Sequence, residues 1–497
     1  MDATLSYDAI KQQANKLHFK NQAFINGRYV VSQSGKTFDL INPATGTLLT
    51  KVAACDQIDV DNAVKVARQA FESGIWSQQS PSERKKVLLK LADLLEQNQF
   101  TLALLETMDT GKPIRDSMNI DIPGAIGILR WFAEAIDKIY DKIAPTANNV
   151  LALITREALG VVGAVIPWNF PLFLACSKLA PALAVGNSVL LKPAEQAPLT
   201  SIFIAELTSQ AGIPDGVFNV LPGFGETAGR AIGMHPDIDG VSFTGSTEVG
   251  KLFLKYSAES NMKRISLECG GKSPNIILAD CDLDKAADVS ATEVFFNQGQ
   301  VCCAPTRLLV QDDIKDKFLE KLMTTGKKFY PADPLDPKTN MGAVIDETQT
   351  NQILTYIDSA KAEGAQLLLG GKQLNKGCGY YIEPTIFDKV KTNMRIAKEE
   401  IFGPVLSILT FKDMTEAVKL ANDTHYGLAA YVWTRDLKKA HTLARALRAG
   451  VVSVNCISGG DITTPFGGYK QSGQGRDSSL LAFDHYMETK TTWIDLN

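Results

Sequence analysis

From Gly160 onward the chain alternates short apolar runs with helical stretches, and this alternation constrains the fold more than any other feature. GVVGAVIPW, SVLLKPA, FNVLPG, GVSFTG and RISLECGG are each followed by turn residues or a helical segment. A second series starts near Asn275 with NIILAD and continues through RLLVQ, VLSILTF, AAYVWT and VVSVNC. Continuous apolar strands of this kind are buried on both faces, which requires a parallel sheet covered by helical crossovers. The expectation is an α/β protein with two open-sheet units of similar size and ligands at the carboxyl ends of strands. A length of 497 residues leaves room for them and for a smaller element.

The rest of the chain reads as support. Residues 22–54 alternate strand-like runs with NG, SG and TG turns, which predicts small antiparallel hairpins. Val87, Leu88, Leu91, Leu94 and Leu95 share one face of a helix over 83–97. Another helix is expected over 125–140, after a break at Pro123–Gly124. The apolar stretch 159–177 approaches membrane-spanning length, but Pro167, Asn169 and Pro171 interrupt it. It reads as a buried strand running into a loop. The strand-like ETKTTWIDL at 488–496 offers an edge for pairing with another subunit, so a homo-oligomer is expected.

Charge and composition exclude several classes. The net charge is −4 with no block of Lys and Arg, so neither nucleic acid nor an acidic membrane surface is expected as a partner. Eight cysteines and five scattered histidines lack metal-ligand spacing, so no metal site is expected. The opening MDATLSYDAIKQQANKLHF is polar and carries no apolar signal core, which points to the cytoplasm.

Six stretches could carry chemistry. FFNQGQVCCAPTR, 295–307, sets the adjacent thiols Cys302 and Cys303 behind a polar turn. A thiol attacks as thiolate and needs a polar, partly accessible setting; the alternative is two small core residues. In LECGGKSP, Glu268 lies between an apolar strand and a Gly-Gly turn, where burial should raise its pKa and suit it to general-base work. Asn169, inside PWNFP, is an amide that must find partners and could donate to a developing oxyanion. FTGSTEVGK, 243–251, ends a strand at Thr244–Gly245 and lets Ser246 cap a helix whose free amides suit a pyrophosphate, or simply start a structural helix. LLKPAEQ, 190–196, places Lys192 and Glu195 where an open sheet holds a ribose, although a surface ion pair would look the same. GFGETAG, 223–229, has the spacing G-x-G-x-x-x-G, which is equally that of an ordinary turn.

Taken in order, PWNFPL, KPAE, GFGETAG, FTGSTEVGK, LECGGKSP, NQGQVCCAPTR, EEIFGPV and PFGGYKQSGQGR closely resemble the NAD(P)-dependent aldehyde dehydrogenase superfamily along essentially the whole chain. The resemblance implies an NAD-binding domain over 1–138 and 160–269, a catalytic domain over 270–478, and a small β oligomerisation element over 139–159 and 479–497. It makes Cys302 the nucleophile and Glu268 the general base, with Asn169 and the Cys302 backbone N–H as the oxyanion hole. Lys178 and Asp477 become the outer members of a proton relay, although Asp477 stands where many relatives carry Glu. Lys192 and Glu195 would hold the adenosine ribose, Ser246 the pyrophosphate, and Glu400 with Phe402 the nicotinamide ribose. Ile166, Trp168, Gly225, Gly229, Phe243, Gly245 and Val249 would complete the cofactor cleft. The cofactor implied is NAD, with NADP weaker, because a Glu195 carboxylate accepts from a ribose 2′-OH and repels a 2′-phosphate.

Further stretches, ESNMKRISLE, IDIPGAIG, AEAIDKIYD and GGDITTPFGGYKQSGQGRD, resemble bacterial γ-glutamyl-γ-aminobutyraldehyde dehydrogenases and related aminoaldehyde enzymes of polyamine breakdown. The implied substrate set is Phe170, Ser177, Val301, Cys303, Asp461 and Phe466, with Asp461 placed to pair with a substrate ammonium. Ser177 departs from the C-W-K context of similar enzymes, and Ile457 and Ser458 also replace larger residues. A wider tunnel follows, so a broad-specificity aliphatic or aromatic aldehyde dehydrogenase is the alternative. A CoA-acylating enzyme conflicts with Glu268. A non-catalytic NAD-binding protein leaves Cys302, Glu268 and Asn169 unexplained.

Overall fold

A computed structural model describes residues 6–374, 377–457 and 460–497. The first series of apolar runs forms β1 (Val161–Val165), β2 (Ser188–Lys192), β3 (Phe218–Val220), β4 (Gly240–Thr244) and β5 (Arg264–Glu268). They are parallel in the order 3-2-1-4-5. All of β1 to β4 is buried, as parallel strands covered on both faces must be. The order reverses direction between β1 and β4, which opens a crevice at their carboxyl ends. The hairpin Ala23–Ile25/Arg28–Val30 closes the β3 edge, turning through Asn26 and Gly27, both at positive φ. Gly473–Gln474 pairs antiparallel with β5 on the other edge.

The second series forms β6 (Pro274–Ile277), β7 (Arg307–Gln311), β9 (Val405–Phe411), β10 (Ala429–Trp433) and β11 (Val451–Val454), and a strand that the sequence reading did not single out, β8 (Thr385–Asp388), joins them. These are parallel in the order 8-9-7-6-10-11, with Gln366–Leu369 antiparallel outside β8. A separate three-stranded sheet joins Met487–Asp495, Val150–Ala158 and Lys142–Ile143, and the first of these is an exposed edge strand. The hairpin expected within 22–54 is matched again by Thr37–Asn42 paired with Thr47–Ala53.

Two helices differ from their sequence reading. α1 (Ile122–Ala135) begins before Pro123 and follows a π-helical turn over Ser117–Asp121. Pro123 sits in the first turn, where its missing N–H leaves no helical bond unmade, so it does not break the chain. The 159–177 stretch is β1, a short loop and then α2 (Pro171–Ala184), not a strand that simply runs into a loop. Pro171 again occupies a helix start. Among the described residues no helix is long and apolar enough to cross a membrane. α1 packs on α2 at Gly124, where a Cβ would lie 2.9 Å from the Phe173 ring.

The sheets also meet their ligands differently. The first presents its carboxyl ends to the central cleft, as expected. The second presents its amino ends there, because Cys302 lies in the turn before β7. Only half of the expectation about strand ends therefore holds, since the second sheet contributes a turn instead of a crevice.

Candidate active site

Glu268, the last residue of β5, and Cys302, in the turn ahead of β7, face each other across the gap between the sheets. The Cys302 Sγ donates to Glu268 Oε1 at 3.6 Å. Burial, followed by the Asp477 carboxylate, pushes Glu268 up to about 8. Thr244 Oγ1 lies 3.5 Å from its other oxygen. The Cys302 thiol is raised by its hydrogen bond with Cys303, by burial and by the Glu268 and Glu400 carboxylates. It therefore rests as a thiol with the Glu268 carboxyl group, the candidate base, aligned on it. Of the two thiols, Cys302 is the one hydrogen-bonded to a carboxylate; Cys303 is held in place by Tyr431 Oη donating to its carbonyl at 2.7 Å.

The polar turn before the thiols is fully buried. Asn297, Gln298 and Gln300 are each 2% exposed or less. Their side chains replace solvent: Gln298 Oε1 accepts from Gly342 N at 2.8 Å and Gln300 Oε1 from Ile345 N at 3.0 Å. Asn297 and Gln298 take positive φ, a strain that these bonds hold in place. Asn297 Nδ2 also donates to the Asn169 carbonyl at 3.0 Å. Asn169 Nδ2 donates to the Gln300 carbonyl at 2.9 Å, which orients the amide beside Cys302 and leaves one of its two N–H bonds for another acceptor.

Lys178, on α2, and Asp477 form a buried ion pair at 2.6 Å. The short Asp477 side chain thus reaches Lys178 and also faces Glu268. Its place is set by backbone pairing: Gly473 lies opposite Glu268 at the β5 edge, and Asp477 and Phe466 exchange N–H···O bonds of 2.7 Å. Burial works against both charges, yet the attraction between them keeps Asp477 low and lifts Lys178 to about 12.

A cleft of about 980 Å³ runs past Cys302 and is lined on one side by Trp168, Gly245, Ser246, Glu400 and Phe402. Ser246 caps the helix Thr247–Glu259 by accepting from Val249 N at 3.2 Å. Glu400 accepts from Gly271 N at 2.9 Å, and burial lifts it to about 7. A Cβ on Gly270 would lie 1.9 Å from its carboxylate, which explains the Gly-Gly turn. Phe402 takes a positive φ, packs edge-on against Trp168 at 5.2 Å, and is held by Gln349 Nε2, which donates to the Ile401 and Phe402 carbonyls. These features fit a dinucleotide: a capped helix start for phosphates, and a buried carboxylate beside an aromatic pair. At the end of β2, Lys192 Nζ lies 3.0 Å from Glu195 Oε2. Lys192, Glu195, Ile166, Gly225, Gly229 and Val249 lie outside the lining of this cleft. So does Phe243, whose ring packs on Phe253 in the core at 4.9 Å.

The other side of the cleft contains Phe170, Ser177, Val301, Cys303, Asp461 and Phe466. Ser177 Oγ donates to the Leu174 carbonyl at 2.8 Å, so it presents a small, satisfied surface. Asp461 accepts from Thr463 N and Oγ1, which hold its carboxylate below the usual range. Ile457 is partly buried against a core cluster, and Ser458 lies outside the described residues. Sequence reasoning missed Thr244 and Gln349 as neighbours of the site, and α1 as a wall of the cleft through Gly124, Gly127, Trp131 and Glu134. Only the glycines of IDIPGAIG hinted at the last.

Comparison with known proteins agrees with this geometry. Residues 29–492 match the aldehyde dehydrogenase family. The chain is 51% identical over 487 residues to the NADP/NAD-dependent aldehyde dehydrogenase PuuC of Escherichia coli K12, covering 98% of each. Among solved structures, the C302A mutant of the P. syringae indole-3-acetaldehyde dehydrogenase AldA, in complex with NAD+ and IAA, is similar with a TM-score of 0.98 at 56% identity, covering 99% of this chain and 100% of that one. The γ-glutamyl-γ-aminobutyraldehyde dehydrogenase of Burkholderia cenocepacia gives 0.98 at 50% identity, with the same coverage.

Proposed function

This chain belongs to the aldehyde dehydrogenase family and is an NAD(P)-dependent aldehyde dehydrogenase, and on that premise we propose that it oxidises an aminoaldehyde through Cys302. The 3.6 Å approach of the Cys302 thiol to the Glu268 carboxylate carries the catalytic reading. Glu268 takes the thiol proton and Sγ adds to the aldehyde carbon. The resulting oxyanion is received by the remaining Asn169 N–H and the Cys302 backbone N–H; one such donor is worth about 3–4 kcal/mol in the transition state. When bound, the nicotinamide supplies a hydride acceptor, which leaves a thioester on Sγ. Glu268 passes that first proton toward Asp477 and Lys178, then takes one from the water that attacks the thioester; the acid is released, and the second proton returns to the departing Cys302 Sγ. Ser246, Glu400 and Phe402 would hold the cofactor on the Cys302 side, while Lys192 and Glu195 would hold its adenosine ribose.

The aminoaldehyde reading rests on carboxylates at the substrate side of the cleft. Asp461, kept ionised by Thr463, and Glu134 on α1 both line it. An ammonium finds charge-assisted partners there. The Burkholderia neighbour, named for γ-glutamyl-γ-aminobutyraldehyde, supports the same class and a place in polyamine catabolism. A second reading, a bulky aromatic aldehyde, is favoured by the small Ser177 among Phe170, Phe173, Trp131 and Phe466, and by the indole-3-acetaldehyde neighbour. The cytoplasm, a homo-oligomer formed through the exposed Met487–Asp495 edge, and a three-part division into cofactor, catalytic and oligomerisation units complete the proposal.

One assay tests it. NADH formation is followed with γ-aminobutyraldehyde, its γ-glutamyl derivative, hexanal and benzaldehyde, with and without CoA. The amino substrates should give the highest kcat/KM, with free acid formed without CoA. Benzaldehyde leading the panel overturns the substrate, and CoA dependence overturns water as the acceptor.

A further inference from the structure

We propose that the aldehyde tunnel continues as an open groove along α1 that holds the far end of a long substrate, and that Gly127 and Ser177 keep it open. The cleft that contains Cys302 is continuous past Ser177 to Gly124, Gly127, Trp131 and Glu134. Spacings of three, four and three residues put these four on one helical face. From Gly124 to Glu134 the helix rises about 15 Å, enough for an extended chain of roughly ten atoms beyond the tunnel.

The two glycines behave differently. At Gly124 the helices touch, since a Cβ there would crowd the Phe173 ring at 2.9 Å. At Gly127, one turn on, a Cβ would meet nothing within 4 Å. Close packing accounts for the first glycine and not for the second, whose backbone is ordinary helix and accepts any L-residue. Its missing side chain is what keeps the groove clear. Opposite the tunnel's inner end, Ser177 spends its hydroxyl on the Leu174 carbonyl and adds little bulk. Trp131 is half-buried and offers an apolar wall for methylenes, and the exposed Glu134, paired with Lys85, ends the groove with a carboxylate. The occupant that fits is an extended aldehyde whose far end carries an ammonium, its spacer on Trp131 and the ammonium at Glu134. The ammonium part rests on the aminoaldehyde reading above; the length selectivity does not.

Gly127→Leu fills the groove without backbone strain, and Gly127→Ala serves as the folding control, with a Tm expected at or above that of the parent. With Gly127→Leu, kcat/KM for the γ-glutamyl derivative and for decanal should fall at least tenfold relative to propanal, chiefly through KM. Equal losses for long and short aldehydes overturn the groove. Glu134→Gln should lower kcat/KM for the γ-glutamyl derivative several-fold relative to decanal. If Gly127→Leu penalises both long substrates and Glu134→Gln spares the amino one, the groove stands and its assignment to an ammonium is overturned.

Discussion

The Glu268 carboxylate and the Cys302 thiol meet at 3.6 Å from opposite sheets, one at the carboxyl end of β5 and the other just ahead of β7. Neither sheet alone contains the pair. Because burial lifts Glu268 to about 8, the base is mostly protonated at neutral pH. A general base works ionised, so acid formation should rise with pH, reach half its maximum near 8 and level off above it. Glu268→Gln should remove that limb and lower kcat by about 10²- to 10⁴-fold. An unchanged limb in the variant's pH–rate profile would contradict the assignment.

The Lys178–Asp477 pair should tune the same limb in opposite directions. Lys178 lowers the Glu268 pKa and Asp477 raises it. Lys178→Met should therefore move the limb to higher pH, and Asp477→Asn should move it lower. Each also breaks a buried ion pair, at a cost of about 3–5 kcal/mol in urea unfolding. Asp477 is depressed in the folded state, so its share of stability is present above its unfolded pKa of about 3.9 and is lost as the pH falls below that. Shifts of the same sign in both variants would refute the relay.

Ser177→Trp should narrow the inner tunnel. Its buried position on α2 directly lines the cleft, so the larger ring has nowhere to go but the substrate path. The KM for benzaldehyde should rise at least several-fold more than that for propanal. Parallel changes in both would show that position 177 does not shape the tunnel.

We propose that cofactor choice depends on a carboxylate near the end of β2. Glu195 lies 3.0 Å from Lys192 and remains partly exposed, free to meet a ribose hydroxyl. Glu195→Ser removes the charge that repels a 2′-phosphate, so kcat/KM for NADP should rise relative to NAD by about tenfold. Competition kinetics with both cofactors would show it, and an unchanged ratio would remove Glu195 from the explanation.

Most parallel strands of both sheets were legible because strands buried on two faces appear as unbroken apolar runs. Glu268 and Asn169 stood out as polar residues in apolar contexts, and Cys302 as one of two adjacent thiols behind a polar turn. The four-residue strand Thr385–Asp388 escaped, as did the edge strand Gln366–Leu369, which is short, partly exposed and apolar only at Leu367–Leu369. The start of α2 was hidden by Pro167, Asn169 and Pro171, since a proline signals a loop and a helix start equally well. Gln349 and the α1 wall carry no local signature. Their roles come from chain segments far apart in sequence, which only packing brings together.

The most direct test follows NADH formation by Cys302→Ala and Cys303→Ala with a saturating aldehyde. Cys302→Ala should form no NADH above background, whereas Cys303→Ala should keep most of the parent rate. A Cys302→Ala enzyme that still turns over at the parent rate would contradict the account.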